Sequence, residues 1–252
     1  MTDLLNETTP EYRSLEKENS IHGDLRYQNV ASGVQFGMRL LYQMVYVALN
    51  YDFDYFLRVD DDYFLCLNRL LQELPYPRAS RFLWAWIHCI NGITRPDEGL
   101  LLFSQDILRE FINQDPEKIR CTAYGGQNVG IWAQDLNFTN VFRHDVRLHH
   151  TPTVQEKPSL REVKGVCQKY MGVHGCYADD METLWSNRGT NVTVTGDLVT
   201  NSAVCTKKHV MNWKAFGGGK YRRKPERCIT NPIYKGSHAG RRIVANKKSG
   251  SK

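Results

Sequence analysis

The run Tyr55-Phe56-Leu57-Arg58-Val59-Asp60-Asp61-Asp62-Tyr63-Phe64 constrains the fold of this chain more than any other segment. Tyr55 to Val59 has the aromatic and β-branched content of a buried strand, and three carboxylates follow it directly. Carboxylates repel one another and are costly to bury unpaired, so a strand that delivers three of them to its tip needs a compensating cation. Alternate residues of an extended chain point the same way, which puts Asp60 and Asp62 on one side and Asp61 on the other. Two hard oxygen ligands on one side suit Mg²⁺ or Mn²⁺, with phosphate oxygens and water completing the shell. Three acidic residues alone more often form a solvated turn that caps the next helix. The buried strand before them turns the reading towards metal, because ligands of α/β sheets collect at the carboxyl ends of strands.

The surrounding pattern predicts the layers in which such a strand would sit. Asp24 to Val30 reads as a short strand. Phe36 to Leu49 repeats apolar residues at Phe36, Leu40, Leu41, Met44, Val45 and Ala48, the recurrence of an amphipathic helix. Leu65 to Leu74 reads as a helix following the aspartates, and Phe82 to Cys89 as a second apolar strand. Arg95-Pro96-Asp97-Glu98-Gly99 is turn chemistry, and Leu100 to Phe111 reads as strand then helix with Ser104 as N-cap. Strands alternating with helices predict an α/β domain with a mainly parallel sheet flanked by helices, Tyr55 to Val59 being its central strand. Residues 1–20 are polar and read as a flexible segment, with Leu4 and Leu5 their only strong apolar pair.

Composition bounds the function classes. Seven cysteines, none in a C-x-x-C pair, argue against a zinc ribbon and for scattered disulfides with one thiol left over, including a bond from Cys167 to a later cysteine. Sequons at Asn6, Asn137 and Asn191 permit N-glycosylation in a lumenal chain. No stretch is apolar for long enough to span a bilayer. Much of the net charge of +6 falls after residue 186, in Phe216-Gly217-Gly218-Gly219-Lys220-Tyr221-Arg222-Arg223-Lys224 and Lys247-Lys248-Ser249-Gly250-Ser251-Lys252. Residues 187–252 read as a basic, Gly-rich, partly disordered extension, with an electrostatic arm for a polyanion as the other reading. No nucleic-acid module accompanies the charge, so no nucleic-acid partner is expected.

Asn50-Tyr51-Asp52-Phe53-Asp54-Tyr55-Phe56-Leu57-Arg58-Val59-Asp60-Asp61-Asp62-Tyr63-Phe64 resembles the signature of the β-1,3-galactosyltransferase and β-1,3-N-acetylglucosaminyltransferase family, glycosyltransferase family 31. Arg58 stands where that family usually has lysine. The resemblance continues in Gly23-Asp24-Leu25, in Glu98-Gly99-Leu100-Leu101-Leu102-Phe103-Ser104, in Val129-Gly130-Ile131-Trp132, and in Val173-His174-Gly175-Cys176 with Met181-Glu182-Thr183-Leu184-Trp185. It covers roughly residues 20 to 186, and the aspartate segment is its specific part. It implies a GT-A-like nucleotide-sugar transferase domain over residues 21–186, lacking the N-terminal strand and beginning downstream of a Golgi membrane anchor. It implies Mn²⁺ held by Asp60, Asp62 and His174, and a UDP-sugar donor bound by Arg58, Asp60 and Asp61. The acceptor would be a glycan on a glycoprotein or glycolipid.

An imidazole nitrogen beside carboxylate oxygens favours Mn²⁺ over Mg²⁺. His149 and His150 compete with His174 for that role. Inverting sugar transfer also needs a carboxylate to take the acceptor's proton. The family's aspartate for this task aligns with Gly126 in Gly125-Gly126-Gln127, so the role does not carry over. Asp97, Glu98 and Asp135 are the substitute candidates, each with the alternative of being a solvated turn residue. Three classes follow: an active Mn²⁺-dependent hexosyltransferase, a catalytically impaired relative that binds UDP-sugar or glycan, and a basic-tailed binding protein with structural aspartates. The intact aspartates favour the first two, and the expectation is the active enzyme.

Overall fold

The structure is a computed structural model that describes residues 2–31, 36–90, 93–122, 124–138, 140–149, 157–189, 199–200 and 225–228. In chain order they form β1 (Thr2–Leu4), α1 (Pro10–His22), β2 (Tyr27–Ala31), α2 (Phe36–Asn50), β3 (Tyr55–Val59), β4 (Tyr63–Leu65) and α3 (Leu67–Glu73). There follow β5 (Leu83–Ala85), β6 (Ile87–Ile90), β7 (Ile93–Pro96), β8 (Leu100–Ser104), α4 (Gln105–Ile112), β9 (Arg120–Cys121) and α5 (Gly125–Asp135). Then come β10 (Phe142–His144), β11 (Leu148–His149), a 3-10 turn at Pro158–Glu162, and α6 (Val166–Lys169). The last elements are β12 (Gly172–His174), α7 (Ala178–Ser186), β13 (Val199–Thr200) and β14 (Glu226–Arg227). No helix among the described residues is long and apolar enough to cross a membrane. The basic runs after residue 215, the Asn191 sequon, Thr139, His150 and Cys205 lie outside the described residues.

Two compact units emerge. The first comprises, of the described residues, those up to 51, 112–128 and 225–228. In it β1 pairs parallel with β2, α2 lies against β2, and β14 pairs antiparallel with β9 beside a Cys121–Cys228 disulfide. Residues 1–20, read in sequence as a flexible segment, hold β1 and most of α1. Thr9 caps α1 by accepting from the Tyr12 N–H at 3.2 Å, Pro10 opens the helix, and Gly23 closes it in the left-handed region at φ 66°. None of the helix's residues is buried, which is why apolar periodicity did not reveal it.

The second unit carries a five-stranded sheet in the order β13-β10-β5-β8-β3. Only β5 and β10 pair in parallel; β3–β8, β5–β8 and β10–β13 are antiparallel, so the α/β class holds but the sheet is mixed rather than mainly parallel. Among the described strands β5 is central, β8 lies inside the sheet between β5 and β3, and β3 lies at the edge. The reason is in the side chains. Leu100-Leu101-Leu102-Phe103-Ser104 is buried at every position, whereas β3 buries only Phe56 fully. Leu100 and Leu102 join Tyr63, Leu70, Trp84 and Met171 on one face, while Phe103 on the other meets Phe111, which meets Trp132 at a ring-centroid distance of 5.6 Å. Helices therefore cover both faces.

Further expectations shift in detail. The apolar run from Phe82 divides at Trp86 into β5 and β6, and the aspartates are followed by β4 before α3 begins. Strands β11, β12 and β4 make a separate three-stranded sheet, with β11–β12 parallel and β12–β4 antiparallel. Cys167 bonds the earlier Cys66, not a later cysteine, and Cys176 is the buried free thiol among the described residues. Because the Cys66–Cys167 bond spans 101 residues, replacing both by alanine should cost about 2–5 kcal/mol. Urea denaturation of the double variant against the oxidised parent measures it, and an unchanged midpoint would refute the disulfide's structural role.

Candidate metal centre

The chain leaves one sheet and enters another at the three aspartates. β3 ends at Val59, paired with Leu100; β4 begins at Tyr63, paired with His174 across the smaller sheet. Between them the Tyr63 N–H donates to the Asp60 carbonyl at 3.2 Å and closes a tight turn. Asp60 and Asp62 therefore converge through a turn and not through the alternation of a continuous strand. Asp61, at the apex, is exposed, while Asp60 and Asp62 are half-buried. Main-chain bonds fix the turn on both sides: Asp60 N–H donates to the Gly99 carbonyl at 2.9 Å, and Cys176 N–H to the Asp62 carbonyl at 2.7 Å.

Strand β12 brings the third group. The His174↔Tyr63 register sets the imidazole beside the turn, its Nε2 3.4 Å from Asp62 Oδ1. One oxygen of Asp60, one of Asp62 and one nitrogen of His174 all lie within 4.8 Å of one another. Metal–ligand bonds of about 2 Å put the trans ligands of a six-coordinate ion about 4 Å apart, so a small contraction would close these three around one ion. Two carboxylate oxygens and an imidazole suit Mn²⁺ or a similar first-row dication better than Ca²⁺. No other such group of three occurs among the described residues. His149 ends β11 opposite Val173, one position short of His174 in register.

Charge balance around the cluster follows its burial. Burial raises the Asp60 carboxyl above its ordinary value, against the opposing pull of Arg58, whose Nη2 lies 2.6 Å from Asp60 Oδ1. Burial works against protonated His174, but the hydrogen bond and charge of Asp62 outweigh it and the net shift is upward. Tyr63, buried beneath the turn, has its phenol pushed well above the usual range by burial, with nearby carboxylates adding to it.

The Asp97–Gly99 turn, joining β7 to β8, supports the same place. Asp97 Oδ1 accepts from the Gly99 N–H at 3.0 Å, and Oδ2 lies 3.0 Å from His88 Nε2. Arg58 Nη1 donates to the carbonyl of Glu98. Neither acidic residue is the solvated turn residue that was the alternative in sequence: Asp97 is buried, and burial pushes the half-buried Glu98 carboxyl up to about 7, opposed by Arg58. Asp135 is exposed near the end of α5. Gly125 and Gly126 form the first turn of that helix and are buried, so no carboxylate comes from the segment aligned with the family's aspartate.

Sequence reasoning missed His88, Tyr63 and Gly172. The Asp97-Glu98-Gly99 triplet carried the one usable signal, since aspartate two residues before glycine is the mark of a side-chain-closed turn. Gly172 opposes Leu65 on β4, and a Cβ there would lie well inside van der Waals contact with Tyr63 Cε1. Gly130 serves a similar end in α5, where a Cβ would approach the Thr94 carbonyl of β7 to 2.9 Å.

No protein-family model matches this chain, and no curated protein matches its sequence. Gly172→Ala should displace the Tyr63 ring and lower stability by about 1–3 kcal/mol through overpacking. Thermal melting reads the loss, and histidine NMR reads the change at His174; a variant unchanged in both would contradict the tight β4–β12 approach.

Proposed function

We propose that this chain is a divalent-metal-dependent hexosyltransferase of GT-A-like fold that moves galactose or an N-acetylhexosamine from a UDP-sugar to a glycan hydroxyl with inversion, β-1,3 linkage being the family expectation. The observation that supports this reading is the convergence of Asp60, Asp62 and His174. Two aspartates of one turn and a histidine from a distant part of the sequence meet within one ion's reach, at the point where the chain passes between two sheets. When bound there, Mn²⁺ would supply electrostatic stabilisation of the departing diphosphate. Disulfides at Cys66–Cys167 and Cys121–Cys228 fit an oxidising compartment, in keeping with a Golgi-lumenal protein acting on glycoproteins or glycolipids.

The chain's own residues divide the remaining work. Asp60 and Asp62 present oxygen ligands and His174 a nitrogen. Arg58 offers a guanidinium beside them for phosphate oxygens. Asp97 is engaged by Gly99 in the turn and by His88 on β6, which fits it to holding the turn, and Glu98 is the candidate to accept the acceptor's proton. A carboxyl near pH 7 is matched to that task, since a base works best when its pKa lies close to the working pH. The buried glycines opening α5 favour the other reading, a relative that binds UDP-sugar without efficient turnover.

Two variants test the scheme. Asp62→Asn should abolish Mn²⁺-dependent UDP binding in calorimetry while the melting temperature stays near the parent's; unchanged affinity would remove the metal assignment. Glu98→Gln should leave that binding intact and slow transfer by about 10²–10⁴-fold in a screen of UDP-sugars. Because the base acts deprotonated, kcat/KM of the parent should rise with pH through the region of about 7 and flatten above it. A Glu98→Gln variant as fast as an active parent would return the search to other carboxylates, and a well-folded parent inactive with every donor would favour the binding-only reading.

A further inference from the structure

Arg58 stands where it must compete with a metal. Its Nη2 lies 2.6 Å from Asp60 Oδ1, its Nη1 donates to the Glu98 carbonyl, and its side chain is 16 % exposed. Residues 58 and 60 both project from the same end of β3, so the pairing is built into the strand and its turn. A dication on Asp60 would share that carboxylate with a guanidinium and be repelled by it, at a depth where solvent screens weakly. Counting formal charges, Asp60 and Asp62 bring two negatives, a dication two positives and Arg58 one more, so metal alone leaves an excess of one positive charge. A diphosphate removes that excess. It also offers the guanidinium a pair of oxygens in the fork geometry that arginine prefers, in exchange for the one carboxylate oxygen it gives up.

We propose that Arg58 couples the metal to the diphosphate: it opposes capture of a bare divalent cation by Asp60, and that opposition is lifted only when a nucleoside diphosphate arrives to take the guanidinium. This rests on the reading of Asp60, Asp62 and His174 as the metal centre. By linkage the effect is reciprocal, each ligand strengthening the other by the same factor. The device ties metal loading to donor binding, so the site would not hold a free ion between turnovers. Arginine serves it better than the lysine usual in the resembled family, because two N–H groups reach Asp60 and the Glu98 carbonyl at once, which a single ammonium on a flexible stem does less rigidly.

The test needs no turnover. Mn²⁺ binding is titrated by electron paramagnetic resonance, with and without saturating UDP, in the parent, Arg58→Met and Arg58→Lys. In the parent UDP should tighten Mn²⁺ binding by a factor within the usual range of coupling, about 5–150-fold. Arg58→Met should bind Mn²⁺ alone more tightly than the parent, with a smaller UDP effect than the parent's. Arg58→Lys, which keeps the charge and guards against misfolding of the methionine variant, should lie between. Mn²⁺ affinity and UDP coupling unchanged in both variants would overturn the role of Arg58 while leaving the metal centre standing. A parent that binds no Mn²⁺ even with UDP would overturn the metal centre, and this inference with it.

Discussion

Like charges held together in a half-buried place set the terms for everything around residues 60–62. Two carboxylates and an imidazole within 4.8 Å can stay folded only if main-chain bonds hold them against their repulsion and opposite charge offsets it. The structure supplies both. Bonds from Asp60 to Gly99 and from Cys176 to Asp62 anchor each end of the turn, and Arg58 and His174 supply the offsetting charge. The apolar body of the second unit can be read as the platform for this arrangement. Leu100 and Leu102 of the buried β8 pack with Tyr63, which roofs the core directly beneath the turn.

The small sheet matters as much as the large one. His174 reaches the aspartates because β12 runs antiparallel to β4 in the Gly172↔Leu65, Val173↔Phe64, His174↔Tyr63 register. A slip of one residue would turn the imidazole to the opposite face. Two features hold that register. On one side Gly172 admits the Tyr63 ring, and on the other Phe64 and Val173 share a cluster with the Cys66–Cys167 pair, which joins the end of β4 to α6 just before β12. The disulfide thus acts on the site as well as on overall stability, since it ties together the two strands that carry Asp62 and His174.

What could be read from the sequence was local and apolar; what could not was pairing. Residues 55–59 and 100–111 announced themselves by composition, and Asp60, Asp62 and His174 by residue type and by resemblance. Nothing in Leu100-Leu101-Leu102-Phe103 says that it will pair antiparallel with Tyr55–Val59, because a strand buried on both faces reads alike in either kind of sheet. Helix α1 was hidden for the opposite reason. Its cap, proline and closing glycine are all present in Thr9-Pro10 and Gly23, but it buries no side chain, so the periodic signal was never written. The three-residue strands β4 and β12 are too short for periodicity of any sort, and the site's decisive contact runs between them.

The acidic turn at Asp97–Gly99 and the aspartate turn at Asp60–Asp62 are mechanically one piece. Gly99 gives its carbonyl to Asp60, Glu98 gives its carbonyl to Arg58, and Arg58 holds the Asp60 side chain. Asp97, buried with both oxygens engaged by Gly99 and His88, keeps the second turn from adapting independently. A carboxylate on that turn is therefore placed by the same bonds that place the candidate metal ligands, and any shift of Asp60 towards an ion must be carried to Glu98 through two backbone carbonyls.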